Sequence, residues 1–115
     1  MTNINEVKQY IFVNIKCNLS ISDIAYFFKI SRQYLHAFFK KECGVTIMNY
    51  IINKKLEMAA VDLLITSNDL ITISKQYNFR TVTYFRHRFN LKFNVMPEEF
   101  IEKYLGDDCP KSAQC

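Results

Sequence analysis

Apolar residues recur along this chain at three- and four-residue spacing, and period-two alternation is scarce. Val7, Tyr10, Ile11 and Ile15 share a helical face and predict a first helix over about Asn5–Cys17. In the stretch LSISD, Ser20 and Asp23 form a capping-box-like start for a short helix, Ile21–Phe28. Ser31 predicts the cap of a third helix, with Leu35, Phe38 and Phe39 facing inward and Gly44 as a left-handed stop. A long helix follows from Met48 to about Thr66, with Tyr50, Ile51, Leu56, Ala60, Leu63 and Leu64 at helical spacing. After TSND the pattern restarts: a short helix over Ile71–Tyr77, then Asn78 as a turn residue of positive φ. Thr81 caps the next helix, Phe85 and Phe89 face inward, Asn94 ends it, and Pro97 opens a last helix through Tyr104.

The second half repeats the first. Ser31, Leu35, Phe39, Gly44, Val45, Tyr50 and Ile51 correspond to Thr81, Phe85, Phe89, Asn94, Val95, Phe100 and Ile101. Upstream of an inserted residue, Ile24, Ala25 and Ile30 correspond to Ile73, Ser74 and Phe79. Each copy is a short helix, a tight turn and a capped helix, the proportions of a helix-turn-helix. The expected fold is therefore all-α, about seven helices, with two helix-turn-helix subdomains joined by a long linker helix. The expected division is 1–49 for the N-terminal subdomain, 50–66 for the linker and 67–105 for the C-terminal subdomain. Residues 106–115, GDDCPKSAQC, have no periodicity and are expected to form a disordered tail.

Composition supports a folded helical chain, since 50% of the 115 residues are hydrophobic and glycine and proline number only two each. The net charge of +4 is unevenly spread. Ile24–Lys41 holds no acid against Lys29, Arg32, Lys40 and Lys41, and Leu70–Pro97 holds none against Lys75, Arg80, Arg86, Arg88 and Lys92. Nothing nearby in sequence neutralises the basic start of the second capped helix. Such segregation suggests a face for a polyanion, with an ordinary solvated surface as the alternative. The N-terminal stretch is too polar for a secretory signal, and no apolar run reaches the roughly 20 residues that span a bilayer. A cytoplasmic, nucleoid-associated location without membrane contact is expected. Cys17, Cys43, Cys109 and Cys115 then read as free thiols, with a redox pair of Cys109 and Cys115 as the alternative. No C-x-x-C pair supports a metal site, and no nucleophile–base–acid set supports an enzyme, so neither metal nor cofactor is expected.

In a helix-turn-helix the second helix enters the major groove and its N-terminal residues reach base edges. With Ser31 as cap, the outward positions are Arg32, Gln33, His36 and Ala37; with Thr81 as cap, they are Val82, Thr83, Arg86 and His87. Arg86 can pair bidentately with guanine and Gln33 with adenine, while Val82, the Thr83 methyl and Ala37 can touch a thymine methyl. Lys40, Lys41, Arg80 and Arg88 are the candidates for phosphate contacts. Each has a structural alternative. Gln33 can be merely solvated, His36 can cap a carbonyl, Lys40 and Lys41 can cap their own helix, and Arg88 can lie along the linker. Recognition helices reading one face of B-DNA sit about 34 Å apart. A connecting helix of about 19 residues is roughly 28 Å long, enough with the attached units to reach two successive major grooves.

LSISDIA, SRQYLHAFFKKECGVT with its F-K-K-E-x-G run, YIINKKLEMAAVDLL and NFRTVTYFRHRFNLKFNVMPEEF together resemble the DNA-binding domain of AraC/XylS family transcription regulators. Within that family the chain resembles the stand-alone MarA/SoxS/Rob group. The resemblance covers about residues 5–104, and the spaced Phe85, Phe89, Phe93 and Pro97 form its usual signature. It implies a bipartite fold of seven helices on an asymmetric site of double-stranded DNA, acting as a monomer. It also implies activation through RNA polymerase near a promoter, with no ligand-sensing domain. The alternatives are a repressor using the same contacts, or a protein-interaction module that keeps the fold without specific DNA binding. Lys29 stands where the family usually has glycine, and a left-handed lysine is expected to distort the first turn. Asn78 and Asn94 also occupy positions often held by glycine. Gln33 and Ala37 replace the tryptophan and arginine common in that group, and His87 stands where an arginine is usual, so the group's target sequence does not transfer.

Overall fold

The helices start where short polar side chains can accept the first orphan amides. In the computed structural model, which describes residues 3–106 (side chains through Tyr104), the order is α1 Ile4–Val13, α2 Ile21–Phe28, α3 Arg32–Cys43, α4 Ile47–Ile65, α5 Leu70–Gln76, α6 Val82–Phe93 and α7 Pro97–Ile101. A π-helical turn over Glu102–Gly106 follows. Asn3, Ser20, Ser31, Asp69 and Thr81 cap α1, α2, α3, α5 and α6 with their side-chain oxygens. Thr46 does the same for α4, its Oγ1 accepting from the Asn49 N–H at 3.2 Å. The amide of Thr72 donates to Asp69 and holds that carboxyl below its usual range. At α7, Pro97 needs no partner for its missing N–H, and Glu99 Oε1 accepts from the Met96 N–H at 3.3 Å. No strand occurs among the described residues.

Two boundaries differ from expectation by more than one residue. The first helix stops at Val13 instead of Cys17, because Asn14 Nδ2 donates to the Tyr10 carbonyl at 2.9 Å and the chain continues in turns. Ile15 is still buried beyond that stop. The last helix leaves α geometry at Glu102, so Tyr104 lies in the π-helical turn. Cys109, Cys115 and the tail 107–115 lie outside the described residues.

The first turn is not distorted. Lys29 takes the left-handed conformation at φ 59° and Asn78 takes it at φ 61°. In the first copy, Lys29 N–H donates to Tyr26 at 3.1 Å and Ile30 N–H to Ala25 at 3.0 Å. In the second, Asn78 N–H donates to Lys75 and Phe79 N–H to Ser74, both at 3.0 Å. These paired bonds form the Schellman turn that satisfies the last carbonyls of α2 and α5. The bonds, with Ile30 and Phe79 tucked behind them, hold lysine in a conformation it disfavours by about 1 kcal/mol. Lys29→Gly should therefore raise unfolding free energy by about 0.5–1 kcal/mol, part of the relief being offset by the freer unfolded chain. A urea midpoint that falls instead would show that the lysine stem packs against its surroundings. Gly44 (φ 79°) and Asn94 (φ 63°) end α3 and α6 in the same left-handed manner.

The chain forms two compact units, one up to Lys55 and one from Leu56 onward, so the boundary falls inside α4. The first buries Val7, Ile11, Ile24, Leu35, Phe39, Ile47 and Ile51. The second buries Leu56, Ala59, Leu63, Ile73, Tyr77, Phe85 and Phe89. In the second unit the Tyr77 hydroxyl donates to Asp62 Oδ2 at 2.6 Å, tying α5 to α4. Burial first, and the Asp62 carboxylate second, push the Tyr77 phenol above its ordinary range. Lys92 Nζ of α6 reaches Glu57 Oε2 of α4 at 3.3 Å.

Candidate nucleic-acid interface

In each unit an apolar back holds a capped helix and leaves its other side to solvent. On α3, Ser31 Oγ accepts from the Tyr34 N–H at 3.0 Å and fixes where the helix begins. Leu35 and Phe39 are 0% exposed, and the Phe39 ring packs edge-on against Tyr50 at 5.0 Å. Phe38, expected inside, is half-buried and stacks on Tyr34 at 5.7 Å. Arg32, Gln33, His36, Ala37, Lys40 and Lys41 are all exposed. Arg32 leans back toward α2, where its Nη1 donates to Ser22 Oγ at 3.4 Å.

On α6, Thr81 Oγ1 accepts from the Tyr84 N–H at 3.0 Å. Phe85 and Phe89 are 0% exposed and form an aromatic cluster with Phe79, Phe93 and Phe100. Thr83, His87 and Arg80 are exposed, whereas Val82, Arg86 and Arg88 are half-buried. The Nε of Arg88 is shut away from solvent, so this arginine offers a partner only the end of its guanidinium. Val82, Thr83, Arg86, His87, Asn90 and Met96 line an open hollow on this side of the helix. Asn90 and Met96 are its unforeseen members. Asn90 lies one turn beyond Arg86 on the same face, so helical spacing could have found it, while Met96 arrives by tertiary packing.

Neutralising acids are in fact close. Glu98 Oε2 lies 3.0 Å from Arg86 Nη1, and Glu57 pairs with Lys92. Glu98 directly follows the acid-free stretch and Glu57 lies well upstream of it on α4, and both return to it in space. The only sequence signal was that acids resume at Glu98.

Repeated short helix, left-handed turn and capped helix with a polar outer face define a bipartite helix-turn-helix protein. The family model described as "Helix-turn-helix domain" matches residues 19–103. The chain belongs to the AraC/XylS family of helix-turn-helix transcription regulators. It is 32% identical over 106 residues to the transposon Tn10 TetD protein of Escherichia coli, covering 92% of this chain and 77% of that protein. It is 29% identical over 96 residues to the XylDLEGF operon transcriptional activator 2 of Pseudomonas putida, covering 81% of this chain and 61% of that one. The crystal structure of a transcriptional regulator with an AraC-type DNA-binding domain, from Chromobacterium violaceum, superposes with a TM-score of 0.81 at 28% identity. That match covers 87% of this chain and 89% of the other. Some relatives are much longer: the chain spans 27% of the regulator YbfP of Bacillus subtilis. The chain is thus a double-stranded-DNA-binding domain of a transcription regulator, in a family of regulators rather than enzymes. Among the described residues no helix is long and apolar enough to cross a membrane.

Proposed function

We propose that the chain binds one asymmetric promoter site as a monomer, with α3 and α6 in successive major grooves, and activates transcription by engaging RNA polymerase. The reading places it in the cytoplasm, at the nucleoid. Arg32, Gln33, His36 and Ala37 on α3, with Val82, Thr83, Arg86 and His87 on α6, meet base edges. Lys40, Lys41, Arg80 and Arg88 meet phosphates, which fix position without carrying sequence information. One observation carries the reading: both units present the same capped helix, with Leu35 and Phe39 or Phe85 and Phe89 fully buried behind an open polar face. The activator assignment is supported by relatives named as activators, among them AarP of Providencia stuartii.

Selection of bound duplexes from a random pool should return one asymmetric site with two short blocks a helical turn apart. A reporter carrying that site upstream of a promoter should rise with the amount of protein; a fall would make the chain a repressor. Affinity should drop steeply with salt, by about 0.9 in log–log slope for each phosphate neutralised. Lys40→Ala should weaken binding to every duplex alike and flatten that slope by about 1. A shallow slope in the unaltered chain, with no sequence enriched, would identify a protein-interaction module instead.

A further inference from the structure

We propose that Glu98 is a positioning residue for sequence discrimination, holding Arg86 so that one edge of its guanidinium faces the base pair. The inference deepens the reading of α6 as a base-reading helix and rests on it. Arg86 Nη1 lies 3.0 Å from Glu98 Oε2, with side chains 41% and 49% exposed. An ion pair this open adds little to stability. Its consequence lies in where it leaves the arginine.

Both ends of the pair stand on fixed backbone within one unit. Phe85 and Phe89 anchor α6, and Phe100 of α7 packs against Phe89 at 5.3 Å and Phe93 at 5.7 Å. Pro97 is buried directly before Glu98. A guanidinium can donate two parallel bonds from its Nη1/Nη2 end or from its Nε/Nη2 side. With the carboxylate on Nη1, the Nε/Nη2 side remains for guanine O6 and N7. An arginine already held in one arrangement loses less freedom on docking than one sweeping through solvent. The carboxylate also acts against wrong complexes. A register that turned Arg86 from a base to a phosphate would bring Glu98 toward the same phosphate, and that repulsion is paid only there.

The test measures binding of the full chain to its selected duplex, to duplexes with each base pair exchanged in turn, and to an unrelated duplex. Glu98→Gln removes the charge and keeps the shape. It should melt with the unaltered chain, bind the unrelated duplex more tightly, and lose about three- to tenfold of preference at the base pair that Arg86→Ala relaxes. In an Arg86→Ala background, Glu98→Gln should leave the ranking of duplexes unchanged. Should Glu98→Gln lower the melting temperature, Glu98→Asp keeps the charge on a shorter arm and should show the same loss of preference at an unchanged salt slope. An equal shift on every duplex, with preference intact, overturns the role of Glu98 and leaves α6 as a reading helix. Arg86→Ala with every preference intact overturns both the base contact and its positioning residue. Absence of any sequence preference in the unaltered chain overturns the functional reading together with this inference.

Discussion

Phe89→Ala should lower the unfolding free energy by about 3–5 kcal/mol, the largest loss expected from a single side chain here. The ring is fully buried and touches Phe85, Phe93 and Phe100, with centroids 5.9, 4.6 and 5.3 Å away. Truncation leaves a cavity lined by rigid rings, which cannot collapse to fill it. These contacts all lie in the second unit, so the loss should be read in that unit's own transition during urea unfolding followed by circular dichroism. Molecules that remain folded should keep the ranking of DNA sequences, because no base-facing side chain has changed. A loss below about 1 kcal/mol would mean that α6 is not anchored by this cluster.

Arg86→Ala should behave in the opposite way, leaving melting nearly unchanged while costing about 1–3 kcal/mol of binding on the preferred site. Preference should relax at one or two base pairs and stay intact elsewhere. The ion pair adds a second component. Without its arginine, Glu98 presents an unpaired carboxylate beside the proposed groove, so a smaller, uniform weakening on all sequences should accompany the relaxation. Titrations against the exchanged duplexes separate the two components. An unchanged ranking would make Arg86 a phosphate or structural residue and move the base contact to Thr83 and His87.

The contrast between these variants follows from what is local in the chain and what is not. Helix caps join residues two or three positions apart, so Ser20, Ser31 and Thr81 were legible as caps from spacing alone. Asp69 was legible only as part of a break, because T-S-N-D offers several capping side chains and the contact with Thr72 selects one. Leu35, Phe39, Phe85 and Phe89 were legible as core because a helix repeats every 3.6 residues and the apolar positions follow it. Phe38 was misplaced for the same reason: it lies on the edge of that stripe, where periodicity does not tell half-buried from buried.

By itself the sequence determined the two-fold repeat, the all-helical class and the two capped helices with their buried faces, since each depends on hydrogen bonds and faces within a few turns of one helix. Lys29 marks the limit of that reasoning. Its poor propensity for a left-handed turn predicted distortion, but the bonds of Lys29 and Ile30 to the end of α2 hold the turn in the same form as its counterpart at Asn78. Tertiary structure alone decided the partners of the polar groups: Tyr77 with Asp62, Lys92 with Glu57 and Arg86 with Glu98. Those residues are distant in sequence, and no helical period relates them. Arg86 and Glu98 meet because Phe100 packs on the buried Phe89 and on Phe93, which brings α7 against α6. Tyr77 and Lys92 meet Asp62 and Glu57 because α4 buries Leu56, Ala59 and Leu63 in the same unit as Ile73, Phe85 and Phe89.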